Sequence, residues 1–449
     1  MRTLHRSLEW GIIIGACLLV VALVAPPRAA ESDLPMAKPE TVGVSSARLE
    51  RVRTFMKEFI DTNRIAGGVT LIARKGKVVH YEAHGWRDKE ANQPMVKDAI
   101  FTLQSMTKPI VSTALMMLWE DGKFRLDDPI SKWLPAYANK QVLVEGRLVK
   151  PNRPVTVRHV LTHTSGLSLV PNDVITRESL FASLEERAAA AQRPRPATPP
   201  TQPRPATLAE AIDRAAPLPL AFQPGERWQY GASTDFVAIL VEKMSGMSLD
   251  QFLRQRIFEP LGMRDTYYNI PREKVDRVAA VYSPDREGKI TLFRKPAFQE
   301  PTTYFAGVAG LNGTAADYFK FAQMLMNGGE LNGHRLLGRM TVDLMFQNQI
   351  GTDKPVYVRG DGYGFGLGGA VLMDRAKAPD ALSVGSWSWG GAWGTIFWVD
   401  PVEELIPIMM IQITSYTHLN IRPLFSVVAS QAVIEPNSRN KPSSPITQH

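Results

Sequence analysis

The two ends of this chain carry the same pattern, and that constrains its fold more than any other feature. Near the start, Ser45 to Ile60 places Leu49, Val52, Met56 and Phe59 at helical spacing. Val69 to Ala73, a Lys75-Gly76 turn and Val78 to Ala83 then read as a hairpin. Near the other end, Gly394 to Val399 and Leu405 to Ile413 flank Asp400-Pro401 as a second hairpin, and Leu424 to Val433 reads as a closing helix. Strands from both ends bury their apolar faces together in one antiparallel sheet covered by helices, which leaves the middle of the chain to form a mainly helical lobe. The expected class is therefore α+β. Residues 31–120 and 291–435 form a discontinuous sheet lobe, 121–290 the helical lobe and 436–449 a flexible tail. With 449 residues, 44% of them hydrophobic and 21% charged, the chain has ample material for such a core.

The first thirty residues differ from the rest. Arg2, His5 and Arg6 precede an apolar stretch from Trp10 to Ala25, followed by Pro26, Pro27, Arg28, Ala29 and Ala30. This order reads as a secretory signal over residues 1–30 and an exported product, periplasmic or secreted. A stretch this short falls below the roughly 20 apolar residues that span a bilayer, so cleavage is expected over a stable membrane span. An uncleaved anchor is the minor alternative. So is lipidation at Cys17, although Leu18 to Ala25 continues the apolar run beyond it. Cys17 is the chain's only cysteine, so a cleaved product has neither disulfides nor a thiol nucleophile. Removal of three arginines and one glutamate takes the formal charge from +8 to +6. Basic runs interleaved with aromatics are missing, so no nucleic-acid partner is expected.

From Arg193 to Thr207 the chain reads RPRPATPPTQPRPAT. Six prolines without an acidic residue cannot pack a core or donate a regular hydrogen-bond ladder, and the segment reads as an exposed insertion in the helical lobe. A docking strip or lid edge is the functional alternative, and a tolerated surface insertion is favoured over it.

Three short elements can carry chemistry. Phe101 to Gln104 is extended, and Ser105-Met106-Thr107-Lys108-Pro109 opens an apolar-periodic run closed by Gly122. Ser105 then sits at a helix start, and Lys108, three residues on, projects from the same face. Such a lysine can take the serine proton. Alone, S-x-x-K is weak, because a capping serine and a solvated lysine give the same letters. The second element, Pro224 to Tyr230, is a turn-rich lead into a helix from about Thr234 to Met244, with Tyr230 at the loop tip. A phenol near a lysine is a candidate proton carrier, and a domain-edge tyrosine is the alternative. The third, Ser388-Trp389-Gly390-Gly391-Ala392-Trp393-Gly394, precedes an apolar strand. Its glycines admit a ligand close to the backbone, and the amides of Ala392 and Ser105 can form a two-donor oxyanion hole. An aromatic-glycine bend closing a sheet edge is the alternative.

In this order and spacing, the three elements resemble the serine β-lactamase-related superfamily, in particular its class C-like branch and the family VIII carboxylesterases. Val160 to Leu167 (VLTHTSGL), Glu259 to Tyr268 (EPLGMRDTYY), Gly310 to Leu325 and Tyr363 to Gly368 (YGFGLG) are similar to that family as well, so the resemblance spans about residues 40–435. It implies the β-lactamase and penicillin-binding-protein fold and an acyl-enzyme on Ser105. Lys108 and Tyr230 would move protons, and Trp389-Gly390-Gly391 would stand in the place of the family's Lys-Thr-Gly strand. Two departures point away from lactams and peptides. Tyr230-Gly231-Ala232 lacks the side-chain amide of the family's Tyr-x-Asn, and Trp389 brings no cation for a substrate carboxylate. The resemblance thus implies a serine hydrolase acting on a small neutral ester without a cofactor. The alternatives are a β-lactamase, a D-peptidase or transesterase, and a non-catalytic envelope penicillin-recognition protein. His159 and His163 have the i, i+4 spacing of zinc ligands but no third ligand or catalytic glutamate, so they read as loop-fixing residues and no metal is expected. The absence of G-x-S-x-G argues against a nucleophile elbow.

Overall fold

The computed structural model describes residues 34–169 and 203–437. The expected signal at 1–30, the insertion from Arg193 to Gln202 and nearly all of the tail lie outside those residues.

Helix α1 spans Ser46–Asp61, and the side chain of Ser45 accepts the N–H of Arg48 as its N-cap. Leu49, Val52, Met56 and Phe59 are its buried face, as the helical spacing requires. The hairpin that follows is β1 (Gly67–Arg74) and β2 (Lys77–Asp88), turned at Lys75 and Gly76, both with positive φ. A two-residue turn with two left-handed residues matches the twist of the flanking strands. Short strand β3 (Gln93–Pro94) lies beyond β2. The C-terminal half supplies β4 (Tyr363–Phe365), β5 (Ala370–Leu372), β6 (Trp387–Gly390), β7 (Ile396–Val399) and β8 (Leu405–Ile411).

These eight strands form one sheet in the order β4-β5-β6-β7-β8-β1-β2-β3, with every pairing antiparallel. The chain's two ends meet where β1 pairs β8, with Val69 opposite Met410 and Leu71 opposite Ile408. Every residue of β1 and β8 is buried, because helices cover both faces of the sheet.

Four further helices matter for the site: α2 (Thr107–Glu120), α3 (Leu208–Ala215), α4 (Ser233–Ser245) and α5 (Ala315–Met326). The closing helix, α6, spans Ile421–Ser430, starting three residues earlier than its sequence pattern suggests. Strand β7 shows how the layers form: Phe397 meets Tyr318 of α5 at 4.7 Å between ring centroids, whereas its neighbour Trp398 meets Phe425 of α6 at 6.2 Å. Period-2 alternation sends successive side chains to opposite faces, so one strand anchors both helical layers.

Candidate active site

Ser105 stands in a single 3₁₀ turn, Gln104–Met106, immediately before α2. The sequence pattern puts it in the first α-helical turn; the structure separates the two by a tighter turn entered through Gln104, whose φ is +50°. Four contacts from distant segments fix this turn. Leu103 N donates to Leu311 O at 2.9 Å, and Leu311 N donates to Thr107 Oγ1 at 3.2 Å. Tyr318 of α5 donates to Met106 O at 2.9 Å, and Thr395 Oγ1 donates to Leu103 O at 3.2 Å. Backbone strain is retained where the surroundings over-determine it, which is the situation here.

Lys108 is the second residue of α2 and is 3% exposed. Its amine donates to Ser105 Oγ at 3.1 Å and to Val308 O at 2.9 Å. Val308 is itself placed by Asp235, whose buried Oδ1 accepts the N–H groups of Gly307 at 2.7 Å and Val308 at 3.0 Å. Asp235 stands in the first turn of α4, five residues after Tyr230. Tyr230 is buried beside the serine and not at an exposed loop tip. Lys108 Nζ sits 4.7 Å from its ring centroid, a cation–π contact with the ring face. Trp228 stacks behind Tyr230 at 6.0 Å, Trp389 lies at 5.2 Å, and the Tyr230 amide donates to Tyr357 Oη at 3.0 Å. His163 completes the aromatic cage at 5.1 Å from Tyr230. Burial first, and the nearby Lys108 charge second, hold the His163 imidazole well below its ordinary pKa, so it is neutral there.

The third element does precede an apolar strand, β7, but it is part strand and part turn. Trp387–Gly390 is strand β6 itself, paired to both β5 and β7, and the turn comes afterwards, where Gly391 N donates to Thr395 O at 2.8 Å. Gly391 lies directly on the segment leading to Ser105: a methyl at its Cα would come within 2.2 Å of Leu103 O. Ala392 is exposed at the tip of the turn. Trp389 is only 3% exposed and packs on Tyr230 and Phe365 instead of forming a wall of the cleft. Gly390 is open-faced for a different reason, since a side chain there would strike Arg422 Cζ at 2.7 Å. Arg422, on α6, donates to the carbonyls of Gly391 and Thr395 and to Tyr416 Oη, and so braces the turn from behind.

Sequence reading missed Asp235 and Arg422. Neither belongs to a short motif, and each acts on residues far away in the chain. The cleft in front of Ser105 has a volume of about 700 Å³ and is walled by Lys108, Tyr230, Leu169, Arg214 and Tyr304. Pro203, Arg204 and Pro205, the described end of the proline-arginine segment, also line it, so that end belongs to the cleft wall and is not merely a surface insertion.

Two histidine groupings bear on metal binding. His159 Nδ1 accepts the amide of Thr156 and caps the helix Val157–Leu161, while His163 faces Thr234 and Tyr230, so the pair does not converge. His80, Glu82 and His84, spaced for one face of β2, do converge. Both imidazoles close on Thr70 Oγ1, at 2.7 and 2.8 Å, and Glu82 is held by Arg53, so these groups already satisfy one another.

An α+β scaffold that brings a lysine amine onto a serine hydroxyl at the floor of a cleft defines a serine hydrolase of the β-lactamase and penicillin-binding-protein fold. The chain belongs to the β-lactamase family, whose model matches residues 52–423. It is 30% identical over 394 residues to Esterase EstB of Burkholderia gladioli, covering 83% of this chain and 91% of that protein. It is 28% identical over 397 residues to a lovastatin esterase of Penicillium rubens, covering 80% and 92%. Among solved structures, EstCE1, described as a hydrolase with promiscuous acyltransferase activity, superposes with a TM-score of 0.68 at 27% identity, covering 87% of this chain and 99% of its own.

Proposed function

We propose that this protein hydrolyses carboxylic esters through an acyl-enzyme on Ser105. The observation that carries the proposal is the 3.1 Å contact between Lys108 Nζ and Ser105 Oγ inside the cleft. Ser105 Oγ attacks the ester carbonyl carbon and its proton passes to the Lys108–Tyr230 pair. The tetrahedral oxyanion is held by the amides of Ser105 and Ala392. As it collapses, the C–O bond to the alcohol breaks and the stored proton goes to the leaving alkoxide. Water then attacks the acyl carbon and gives the free acid and Ser105 Oγ–H. Trp389-Gly390-Gly391 supplies no cation, and Gly231-Ala232 supplies no side-chain amide, so an ester fits this site better than a lactam or peptide. The names of EstB and the lovastatin esterase point the same way. Transfer of the acyl group to an alcohol in place of water is the second reading, favoured by the activity named for EstCE1.

The test compares the parent with Ser105→Ala on 4-nitrophenyl butyrate, beside a chromogenic cephalosporin. Ester cleavage that vanishes in the variant is the expected result. A variant as fast as the parent removes Ser105 from the mechanism, and rapid cephalosporin turnover without esterase activity replaces the ester reading with a lactamase. We also propose that residues 1–30 direct export, which the run Trp10 to Ala25 behind Arg2 and Arg6 supports. Retention of the full-length chain in the cytosol of a bacterial host would overturn that.

A further inference from the structure

Beyond Gln104 the active-site cleft continues into a second recess of about 310 Å³, with Gln104 and Ala309 forming walls of both. This recess carries two cations, Arg294 and Lys295, and no aspartate or glutamate lines it. Arg294 ends the short strand Ile290–Arg294. Its guanidinium lies over the indole of Trp393, 4.6 Å from the ring centroid, and donates to Thr102 Oγ1 at 3.2 Å. Both partners belong to the catalytic elements: Thr102 is three residues before Ser105, and Trp393 is the residue after Ala392. Neither neutralises the charge, and among the described residues Arg294 has no carboxylate partner. The guanidinium packs against the indole and spends one N–H on Thr102, and its other donors are left for a planar, two-oxygen acceptor.

The direction of the recess selects the part of the substrate that enters it. Lys108 and Tyr230, which return the proton to the departing alkoxide, line the larger cleft with Ser105 and not the recess. The recess, reached past Gln104, is therefore open to the acyl part of the substrate. We propose that the recess at Arg294 binds a carboxylate at the far end of the acyl chain, so that the preferred substrates are half-esters of dicarboxylic acids. The inference rests on the Ser105 reading. It also supplies a substrate-binding cation from the strand Ile290–Arg294, outside the third element, whose Trp389 brings none.

Matched pairs of ethyl esters test it: ethyl hexanoate against monoethyl adipate, and ethyl octanoate against monoethyl suberate, with acid release followed at constant pH. The expected result is a kcat/KM about ten- to hundredfold higher for the anionic member of at least one pair, the range of a charge-assisted hydrogen-bonded contact. That ratio should shrink in 0.5 M salt (roughly a 4 Å screening length). Arg294→Gln should collapse the ratio. Arg294→Glu should turn the preference towards ethyl 6-aminohexanoate over ethyl hexanoate, a gain that a misfolded protein cannot show. A parent that prefers the neutral member of both pairs, or a ratio untouched by Arg294→Gln, overturns the proposal while leaving Ser105 in place. A parent that cleaves none of the esters overturns both readings.

Discussion

Replacing Gly391 by alanine tests whether the third element and the nucleophile turn form one oxyanion hole. The backbone at Gly391 does not have a positive φ, so alanine brings no conformational penalty of its own. The added methyl would nevertheless sit 2.2 Å from Leu103 O, 2.3 Å from Thr395 Oγ1 and 3.2 Å from Gln104 Cβ. Cβ atoms essentially never approach other heavy atoms closer than 3.0 Å, so relief takes a shift of most of an ångström. Leu103 cannot yield alone, because its N–H is bonded to Leu311 O and its carbonyl accepts from Thr395. The β6–β7 turn must therefore lift away from Ser105 and carry the Ala392 amide with it. Loss of one oxyanion donor costs about 10²–10³ in kcat, and overpacking costs about 1–3 kcal/mol of stability. We expect kcat on 4-nitrophenyl butyrate to fall by about two orders of magnitude, with a modest loss of melting temperature. Gly390→Ala is the comparison: its new methyl misses the Leu103 backbone and meets the ends of Arg422 and Ile396, so it loads the Arg422 brace and not the nucleophile turn. A Gly391→Ala enzyme that keeps kcat within about threefold of the parent, well under one donor's worth, would show that the Ala392 amide is not part of the hole.

Arg422→Met removes the donors that hold the Gly391 and Thr395 carbonyls, the latter at 2.7 Å, and should lower kcat about tenfold or more with little change in KM; an unchanged kcat would leave Arg422 with packing alone. Arg74 is fully buried and donates to the carbonyls of Val42, Gly43, Glu403 and Glu435 as well as to the Glu403 carboxylate. Arg74→Met should cost about 3–5 kcal/mol in denaturant unfolding, and a loss below 1 kcal/mol would refute its role in tying the chain's ends together. Burial, the largest cause in each case, lowers the pKa of His80, His84 and His159 to about 4. The unfolded chain takes up these protons from about pH 6.5 downward while the folded protein refuses them until about pH 4. Stability is therefore fully present above pH 6.5 and declines between pH 6.5 and 4, by about 1.4 kcal/mol per pH unit for each histidine. Urea unfolding at pH 7.5 and 5.5 measures this, and equal stabilities would contradict it.

What the sequence reveals about this protein follows the range over which each interaction acts. Helix α1 is readable because its cap, Ser45, and its buried face repeat within four residues, and the two hairpins are readable because their turns sit between alternating or continuous apolar runs. Strand β6 is not readable in the same way. It is central and buried on both faces, so Trp387, Ser388 and Trp389 show no in–out alternation, and two glycines follow where a strand-former is expected. The glycines are there because Gly391 meets the Leu103 backbone and Gly390 meets Arg422, constraints that exist only once the two ends of the chain have met.

The proposed nucleophile Ser105 and its lysine belong to the readable class, since a separation of three residues across one turn brings Lys108 Nζ to Ser105 Oγ. The groups that position them do not. Asp235 reaches Gly307 and Val308 across more than seventy residues, and Thr395 reaches Leu103 across nearly three hundred. Local spacing thus pairs Ser105 with Lys108, whereas the geometry of the turn that holds Ser105 is set by tertiary contacts from α4, α5 and the β6–β7 turn. Perturbing those contacts should alter rate before it alters the fold, because the sheet core that carries the stability lies in other residues. Gly391→Ala, with its clash confined to the turn, measures that separation directly: a loss of rate much larger than its loss of stability is the outcome this division of labour requires.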